Sequence, residues 1–313
     1  MSSLIEMDHV TKLYGSVIGL NDVSLSLPEG VYGLLGPNGS GKTTFINLIM
    51  GQLRPSIGQV RIMGSNPSWQ GAYLRDIGLC PATDIHIPHL SGLDWVTNQV
   101  SLYGIPKRRS RQLAIEALKK VRMEHAWDRL ISSYSLGMRQ RCKLAQAIAH
   151  SPRLLILDEP FNGLDPIGRI EMTDFLQKWI ENGHSLIMAS HILHEVEAVD
   201  CSFLLLTGGR LLASGTPTEV RSLLENIPNQ VQIKSADARA LAPHVMSLPS
   251  VSDVKINSAS DTLTVATEAP RALAELLGNL VSTHGYRITE VRPEDESLQS
   301  LFSILMQIHR GER

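Results

Sequence analysis

The chain has 313 residues, of which 43% are hydrophobic, and this supplies apolar surface for one large domain and a smaller one. Its net charge of -2 gives no basic excess of the kind that marks nucleic acid binders, so we expect no nucleic acid partner. No run approaches the roughly 20 apolar residues that cross a bilayer, and the start lacks a basic region followed by an apolar one, so we expect a cytoplasmic location.

Alternating apolar residues near the N-terminus predict antiparallel strands over residues 4–10, 23–27 and 59–63. A short apolar run, Val31–Leu35, lies between the second and third of these and is followed by a glycine-rich loop. Residues 45–50 then have helical character. This order predicts a strand, a loop and a helix beside a small antiparallel sheet.

The glycine-rich loop fits the pattern G-x-x-x-x-G-K-[ST], which is typical of a phosphate loop for a nucleoside triphosphate. Its glycines let the backbone approach the phosphates, and the N-terminus of the following helix attracts anions. Lys42 can reach the β and γ phosphates, and the hydroxyl of Thr43 can bind Mg²⁺. The loop residues are Gly36, Pro37, Asn38, Gly39, Ser40, Gly41, Lys42, Thr43 and Thr44.

Residues from about 85 to 150 change to a helical pattern, which predicts an inserted helical subdomain. Within it, the basic run Lys107–Arg109 could contact anionic lipid headgroups, but the helical pattern after it favours the solvated start of a helix. His86 and His89 flank Pro88, and this favours a loop over a metal site.

Two further apolar runs end in polar residues. Residues 154–157 precede Asp158 and Glu159, and residues 185–189 precede Ser190 and His191. Together with Val31–Leu35 they predict a largely parallel sheet whose chemistry lies at the carboxyl ends of the strands. Adjacent carboxylates at the end of a buried strand need a cation or a proton transfer to compensate them.

The C-terminal part of the chain reads as a second domain. A helix predicted over residues 217–224 leads to a boundary at 227–229, so we expect domains over 1–225 and 229–313. The second shows the order β-α-β-β-α-β, which indicates a small ferredoxin-like α/β domain, and a helix predicted over 298–308 follows. No catalytic constellation is visible there, so regulation or support of a dimer is the expected role.

The phosphate loop, the segment Tyr134–Arg141 and the acidic pair after residue 157 occur in an order that resembles the ATP-binding cassette of ABC transporters. The family signature is close to L-S-G-G-Q-R-Q-R. This chain keeps Ser135, Gly137 and the R-Q-R tail, but it carries Leu136 and Met138. The resemblance spans about residues 4–225 and implies an α/β fold with a RecA-like, mostly parallel sheet.

The resemblance also implies a role for each matching residue. Tyr14 would stack on adenine, and Asp158 would hold Mg²⁺ through its water shell. Glu159 would be the general base for the attacking water, and His191 would be the switch histidine that contacts the γ-phosphate. Residues 162–165, Asn-Gly-Leu-Asp, match the D-loop, which communicates across a dimer in this family.

Ser135 and Gly137 lie where a helix running toward Ala149 begins, so this helix end offers a second site for an anion. The phosphate loop already serves the chain's own ATP, so the second site would serve the ATP of a partner cassette, most simply another copy of the chain. Lys42, Mg²⁺ and the partner's signature helix would then neutralise charge on the transferred phosphoryl group.

One position departs from the family inside the expected site. The family usually carries Gln, sometimes Glu, where this chain has Ala82. Either Thr83 or Asp84 substitutes for the missing side chain through a water, or hydrolysis is slow and loosely coupled to the partner.

The expected function is therefore that of an ATP-hydrolysing subunit on the inner face of the cell membrane, bound there to integral-membrane permease subunits. The resemblance is greatest to ABC-2 type exporters of drugs, lipids or polysaccharides. The alternatives are a soluble ABC-type ATPase, an ATP-binding switch that does not hydrolyse, and an importer ATPase. The transported substrate stays open, because it touches the permease and not this subunit.

Overall fold

The computed structural model describes residues 3–68, 71–85, 87, 89–216, 219, 229–257 and 261–293. The chain divides into two compact units, Met1–Pro217 and Thr218–Arg313. The boundary expected at 227–229 includes two residues outside the described ranges and stays a prediction. The helix predicted over 298–308 lies outside the described ranges. Of the helix predicted over 217–224, only residue 219 is described.

Three N-terminal strands form an antiparallel sheet in the first unit, as their alternating pattern predicts. They are β1 (Ile5–Tyr14), β2 (Val17–Leu27) and β4 (Ile57–Ile62), with β1 in the centre. Ile5, Met7 and Val10 of β1 are buried, and the residues between them are mostly exposed. The buried face joins the main apolar core of this unit.

A six-stranded, mostly parallel sheet carries the rest of the first unit. Its strands are β3 (Val31–Leu35), β5 (Ile77–Cys80), β6 (Leu154–Asp158), β7 (Ser185–Ser190), β8 (Ser202–Thr207) and β9 (Arg210–Gly215). Their order is β5-β6-β7-β3-β8-β9, and only β9 is antiparallel to its neighbour. Every residue of β6 and β7 is buried, as is typical of parallel strands covered on both faces. The predicted parallel sheet is confirmed.

Helices occupy the connections between these strands. They are α1 (Lys42–Ile49) after β3, then α2 (Gly92–Ser101), α3 (Lys107–Lys120) and α4 (Leu136–Ile148) between β5 and β6, α5 (Pro166–Glu181) before β7, and α6 (Leu193–Glu197) after it. The predicted helical insert is therefore present as α2 to α4. The basic run is the exposed first turn of α3.

The three cysteines are buried, free thiols that pack as small apolar groups. Burial raises the pKa of Cys80, Cys142 and Cys201 to about 12. A thiol with so high a pKa is almost wholly protonated at neutral pH and is a poor nucleophile or metal ligand.

The second unit shows the predicted β-α-β-β-α-β order. Its elements are β10 (Asn229–Ser235), a helix Ala238–Met246, β11 (Val251–Asn257), β12 (Thr262–Thr267), a helix Pro270–His284 and β13 (Ile288–Pro293). The strand order β11-β12-β10-β13 and the antiparallel pairing are those of a ferredoxin-like sandwich. Ile233, Leu263 and Val265 lie at the centre of its separate core.

The described residues of both units form no helix that is long and apolar enough to span a membrane.

Candidate nucleotide-binding site

The loop between β3 and α1 has a backbone that requires glycine. Gly39 and Gly41 have φ values of 80° and 109°, in the left-handed region. A Cβ atom on Gly36 would lie 2.3 Å from the carbonyl oxygen of Leu206, and one on Gly41 would lie 2.5 Å from that of Gly19. The N-cap residue of α1 is Gly41, which has no side chain to cap the helix, so the first N–H groups of α1 face the loop as donors for an anion.

Lys42 lies at the base of this loop. It is 7% exposed, and its Nζ atom donates to the carbonyl oxygens of Gly36, at 2.6 Å, and Pro37, at 3.3 Å. Nζ also lies 3.7 Å from Oε1 of Glu159. Burial lowers the pKa of Lys42, whereas the neighbouring carboxylates of Glu159 and Asp158 oppose that shift. Lys42, the first residue of α1, thus places a positive charge between the phosphate loop and the pair Asp158 and Glu159.

Asp158 ends β6 and faces the same loop. It is 6% exposed, and the hydroxyl of Thr43 donates to its Oδ2 atom at 3.4 Å. Burial raises the pKa of Asp158, Glu159 raises it further, and Lys42 opposes both. A hydroxyl and a carboxylate oxygen side by side are hard donors of the kind that Mg²⁺ prefers. The residues present therefore fit a magnesium ion.

Glu159 makes the turn that follows β6. Its φ of 52° is left-handed, and its N–H donates to the carbonyl oxygen of Ala189 on β7 at 2.9 Å. A non-glycine residue in this region costs about 1–3 kcal/mol, and such strain clusters at functional sites. Because β6 and β7 are adjacent, the side chain meets His191, whose Nδ1 atom lies 2.8 Å from Oε2 of Glu159.

A cleft of about 500 Å³ brings most of the sequence-predicted residues together. It is lined by Tyr14, Val17, Ile18, Gly19, residues 38–44, Ala82, Asp158, Glu159, Asn162 and His191. Tyr14 is 44% exposed, and its hydroxyl lies 3.4 Å from Oγ1 of Thr44. The sequence reasoning missed Val17 and Ile18. The signal that could have found them is a pair of adjacent apolar residues three and four positions after the predicted stacking residue.

Ser135 and Gly137 lie in a different cleft, of about 610 Å³, which they share with Gly163, Leu164 and Asp165. Ser135 caps α4, and its Oγ atom accepts a hydrogen bond from the N–H of Met138 at 3.2 Å. The start of α4 is therefore where the sequence predicts it. Gly163, Leu164 and Asp165 of the D-loop lie beside this helix end, whereas Asn162 lines the first cleft.

The departure at Leu136 has a structural counterpart in the D-loop. Gly163 has a φ of 76°, and a Cβ atom there would lie 2.3 Å from Cγ of Leu136. The side chain of Leu136, which is 48% exposed, thus occupies the space that a Cβ atom on Gly163 would fill. Leu136 therefore provides a packing contact between the start of α4, which carries the signature residues, and the D-loop of the same chain.

Ala82 lines the mouth of the nucleotide cleft, whereas Asp84 does not. The Nζ atom of Lys143 on α4 donates to the carbonyl oxygens of Pro81, at 2.8 Å, and Thr83, at 3.1 Å. The carboxylate of Asp84 pairs with Arg139 at 2.8 Å. The structure thus gives Asp84 a partner on α4, and the substitution of Thr83 or Asp84 for the family's glutamine through a water stays a prediction.

The strand-loop-helix unit, the parallel sheet and the acidic pair define a phosphate-loop nucleotide-binding protein. Residues 20–162 match the family model described as "ABC transporter". The bacitracin transport ATP-binding protein BcrA of Bacillus licheniformis is 35% identical over 68% of this chain and 69% of its own length. The daunorubicin/doxorubicin resistance ATP-binding protein DrrA of Streptomyces peucetius is 30% identical over 90% and 86%. The chain belongs to the ATP-binding proteins of ABC transporters.

Solved structures agree with this assignment. The ATP binding subunit of an ABC transporter superposes with a TM-score of 0.63 at 27% identity, over 70% of this chain and 92% of that one. A dimeric ABC transporter cassette, MJ0796, gives a TM-score of 0.62 at 25% identity, over 68% and 98%. These likenesses confirm the predicted cassette fold.

Proposed function

We propose that this chain binds and hydrolyses ATP as the motor subunit of an ABC-2 type exporter. The observation that carries the proposal is one cleft in which Lys42, Asp158, Glu159 and His191 surround the start of α1. A phosphate cradle, a pair of oxygen donors for a metal, and a base with its own hydrogen-bond partner are the groups that phosphoryl transfer to water needs.

The chain's own residues divide the chemistry among them. The glycine loop and the N-terminus of α1 hold the phosphates, and Lys42 exchanges its carbonyl partners for phosphate oxygens. Glu159 accepts the proton of the attacking water, while His191 keeps the carboxylate in place and faces the γ-phosphate. Thr43 and Asp158 are the residues that would hold Mg²⁺, and the ion would supply positive charge to the phosphates.

The second cleft supports a head-to-tail dimer. Ser135 and Gly137 present the positive end of α4 away from the chain's own nucleotide cleft, so a phosphate there belongs to a partner's ATP. The dimeric structure of the MJ0796 cassette supports the pairing of two cassettes. We propose a homodimer that ATP closes and hydrolysis reopens, bound to permease subunits on the inner face of the membrane.

The names of the relatives support export rather than import. One relative is named for resistance to daunorubicin and doxorubicin, and BcrA of Enterococcus faecalis is named for bacitracin transport. The latter aligns at 30% identity over 98% of this chain, so the likeness includes the second unit. We propose that the second unit supports the dimer or regulates it.

Ala82 favours a second candidate function. With no carboxamide at the cleft mouth, the chain has one group fewer to orient water or metal, which fits an ATP-binding switch with little turnover. The complete Glu159–His191 pair opposes this alternative.

The two candidate functions, motor subunit and ATP-binding switch, differ in turnover. Turnover is measured as phosphate released from ATP in the presence of Mg²⁺, by the purified chain alone and together with its permease. We expect turnover in the wild-type chain. The variant Glu159→Gln should keep its ATP affinity, lose at least about 100-fold in turnover and accumulate as an ATP-bound dimer. The matched control is Glu124→Gln, the same change at an exposed position. Near-normal turnover in Glu159→Gln would show that the base is misassigned, and a wild-type chain without turnover would favour the switch.

A further inference from the structure

Glu195 is a buried acidic residue that does not line the nucleotide cleft. It lies on α6 and is 6% exposed. Its Oε1 atom accepts from Nη1 of Arg169 at 2.9 Å, and its Oε2 atom accepts from the hydroxyl of Ser190 at 2.7 Å. A carboxylate is expensive to bury unless it is paired and hydrogen-bonded, and here each of its oxygens has a partner.

Ser190 connects this carboxylate to the turn that carries His191. While its hydroxyl donates to Glu195, its oxygen accepts from the N–H of Ile192 at 3.0 Å. The carbonyl oxygen of Ser190 also accepts from the N–H of Gly36 in the phosphate loop at 3.3 Å. A hydroxyl has one donor and two acceptor positions, so Glu195 sets the orientation in which Ser190 holds residues 190–192.

Arg169 extends the chain of contacts toward the D-loop. It lies on α5, and its N–H donates to the carbonyl oxygen of Asp165 at 2.9 Å. Asp165 caps α5 through a 2.8 Å bond from the N–H of Gly168 to its Oδ1 atom. A continuous series of bonds therefore runs from the last D-loop residue to the residue beside His191.

We propose that Glu195 is a positioning residue for hydrolysis, which through Ser190 holds His191 against Glu159 and is itself held by Arg169. The inference rests on the proposed function, because His191 receives its role there. Beyond that function, it explains how Asp165 of the D-loop and His191 are held in a fixed relation. The competing explanation is that Glu195 only ties α5 and α6 to the sheet.

The direct test is Ser190→Ala, which removes the link to the turn and leaves the Arg169–Glu195 ion pair. We expect kcat to fall about tenfold with ATP affinity within about twofold, because one oriented group is lost from the transition state and none from the phosphate cradle. In a chain that already carries His191→Ala, the same change should lower kcat less than about twofold further, since substitutions of residues that act together do not have additive effects.

Two further variants keep the test decisive if Ser190→Ala is unstable. Glu195→Gln keeps an oxygen that accepts from Ser190 and should retain most of the turnover, whereas Glu195→Ala should lose it. The matched control is Gln177→Ala, which breaks another bond between α5 and the α6 region, from Nε2 to the carbonyl oxygen of Ala198 at 3.1 Å. That control should leave kcat within about twofold, because its bond does not reach Ser190.

A second readout does not depend on turnover. In the ¹⁵N-histidine spectrum, assigned by comparison with His191→Ala, the His191 signal should move in Ser190→Ala and stay in place in Gln177→Ala. Equal losses of kcat in both backgrounds, or an unmoved His191 signal, would overturn the inference. If the wild-type chain has no turnover but the signal moves, the proposed function fails, whereas the positioning of His191 through Ser190 stands.

Discussion

The Nε atom of Arg139 lies 3.0 and 2.8 Å from the two carboxylate oxygens of Asp84. Arg139 belongs to α4 in the helical insert, and Asp84 follows β5 of the sheet. The same guanidinium donates from Nη1 to the carbonyl oxygen of Tyr134 at 2.6 Å, one residue before the cap of α4. One side chain thus joins the signature helix to the segment that contains Ala82.

Replacing Asp84 by asparagine tests the strength of this link. Burial by itself raises the pKa of Asp84, but the N–H of Ile85 and the guanidinium of Arg139 together hold it below its ordinary value. The folded chain therefore favours the ionised carboxylate. We expect Asp84→Asn to lower the free energy of unfolding at pH 7 by about 1 kcal/mol in denaturant titrations. Asp174→Asn, at an exposed site on α5, is the matched control and should change it little.

The same variant has a defined dependence on pH. A carboxyl group with a depressed folded-state pKa stabilises the protein above its unfolded pKa of about 3.9, and this contribution is lost as the pH falls through the folded-state value. The difference in stability between the wild-type chain and Asp84→Asn should therefore shrink below about pH 5. A difference that stays constant down to pH 3 would mean that the ionic contact contributes nothing.

Tyr14 offers a test of the adenine position. Its exposed ring lies in the cleft beside Val17 and Ile18. If adenine stacks there, Tyr14→Ala should weaken ATP binding by about five- to thirtyfold, since stacking of a base on an aromatic ring is worth about 1–2 kcal/mol. Tyr14→Phe keeps the ring and should bind within about twofold of wild type. Equal losses in both variants would assign the effect to the hydroxyl, which lies 3.4 Å from Thr44.

Much of the fold could be predicted because the chain marks its strands clearly. The apolar runs before the phosphate loop, before Asp158 and before Ser190 are too short for helices and end in polar residues, as buried parallel strands do. β5 was not predicted as a strand, because Ile77–Cys80 is only four residues long and contains a glycine. In the second unit the order of strands and helices was predicted correctly.

The contacts that organise the site could not be predicted in this way. Arg139 and Asp84 are 55 positions apart, and their pairing depends on how α4 packs against β5. Lys143, only 4% exposed, and Gln146 belong to the same polar stripe of α4 and donate to backbone carbonyls near β5. In the sequence such a stripe looks like an ordinary solvated helix face, because a helical period does not reveal which face meets another element.

A mixing experiment tests whether the clefts of two chains combine. Lys42→Ala removes the phosphate-loop cation, and Ser135→Glu places a negative charge at the start of α4, so neither variant should turn over alone. A mixed dimer has one site built from the intact loop of one chain and the intact helix end of the other. We expect an equimolar mixture to recover about a quarter of wild-type turnover, because about half of the dimers are mixed and each has one working site.

The control for that experiment mixes Lys42→Ala with a chain that carries both changes, which leaves no site complete. Turnover is measured as phosphate release after the subunits have exchanged. If turnover recovers in the first mixture and not in this control, the two chains assemble head to tail. If the first mixture stays inactive although mixed dimers form, each site is contained within one chain.

The last prediction concerns Ala82, the residue that departs from the family at the mouth of the cleft. Its neighbours are fixed, since Lys143 holds the carbonyl oxygens of Pro81 and Thr83, and Ala82 itself is exposed. A longer side chain at this position therefore extends into the cleft without repacking the core. We expect Ala82→Gln to raise kcat by about threefold or more, because its amide oxygen can orient the water or the metal near Glu159. Ala82→Leu adds similar bulk without the amide and should not raise kcat. If Ala82→Gln turns over no faster than wild type, orientation of the water is already complete, and the alanine does not explain a slow turnover.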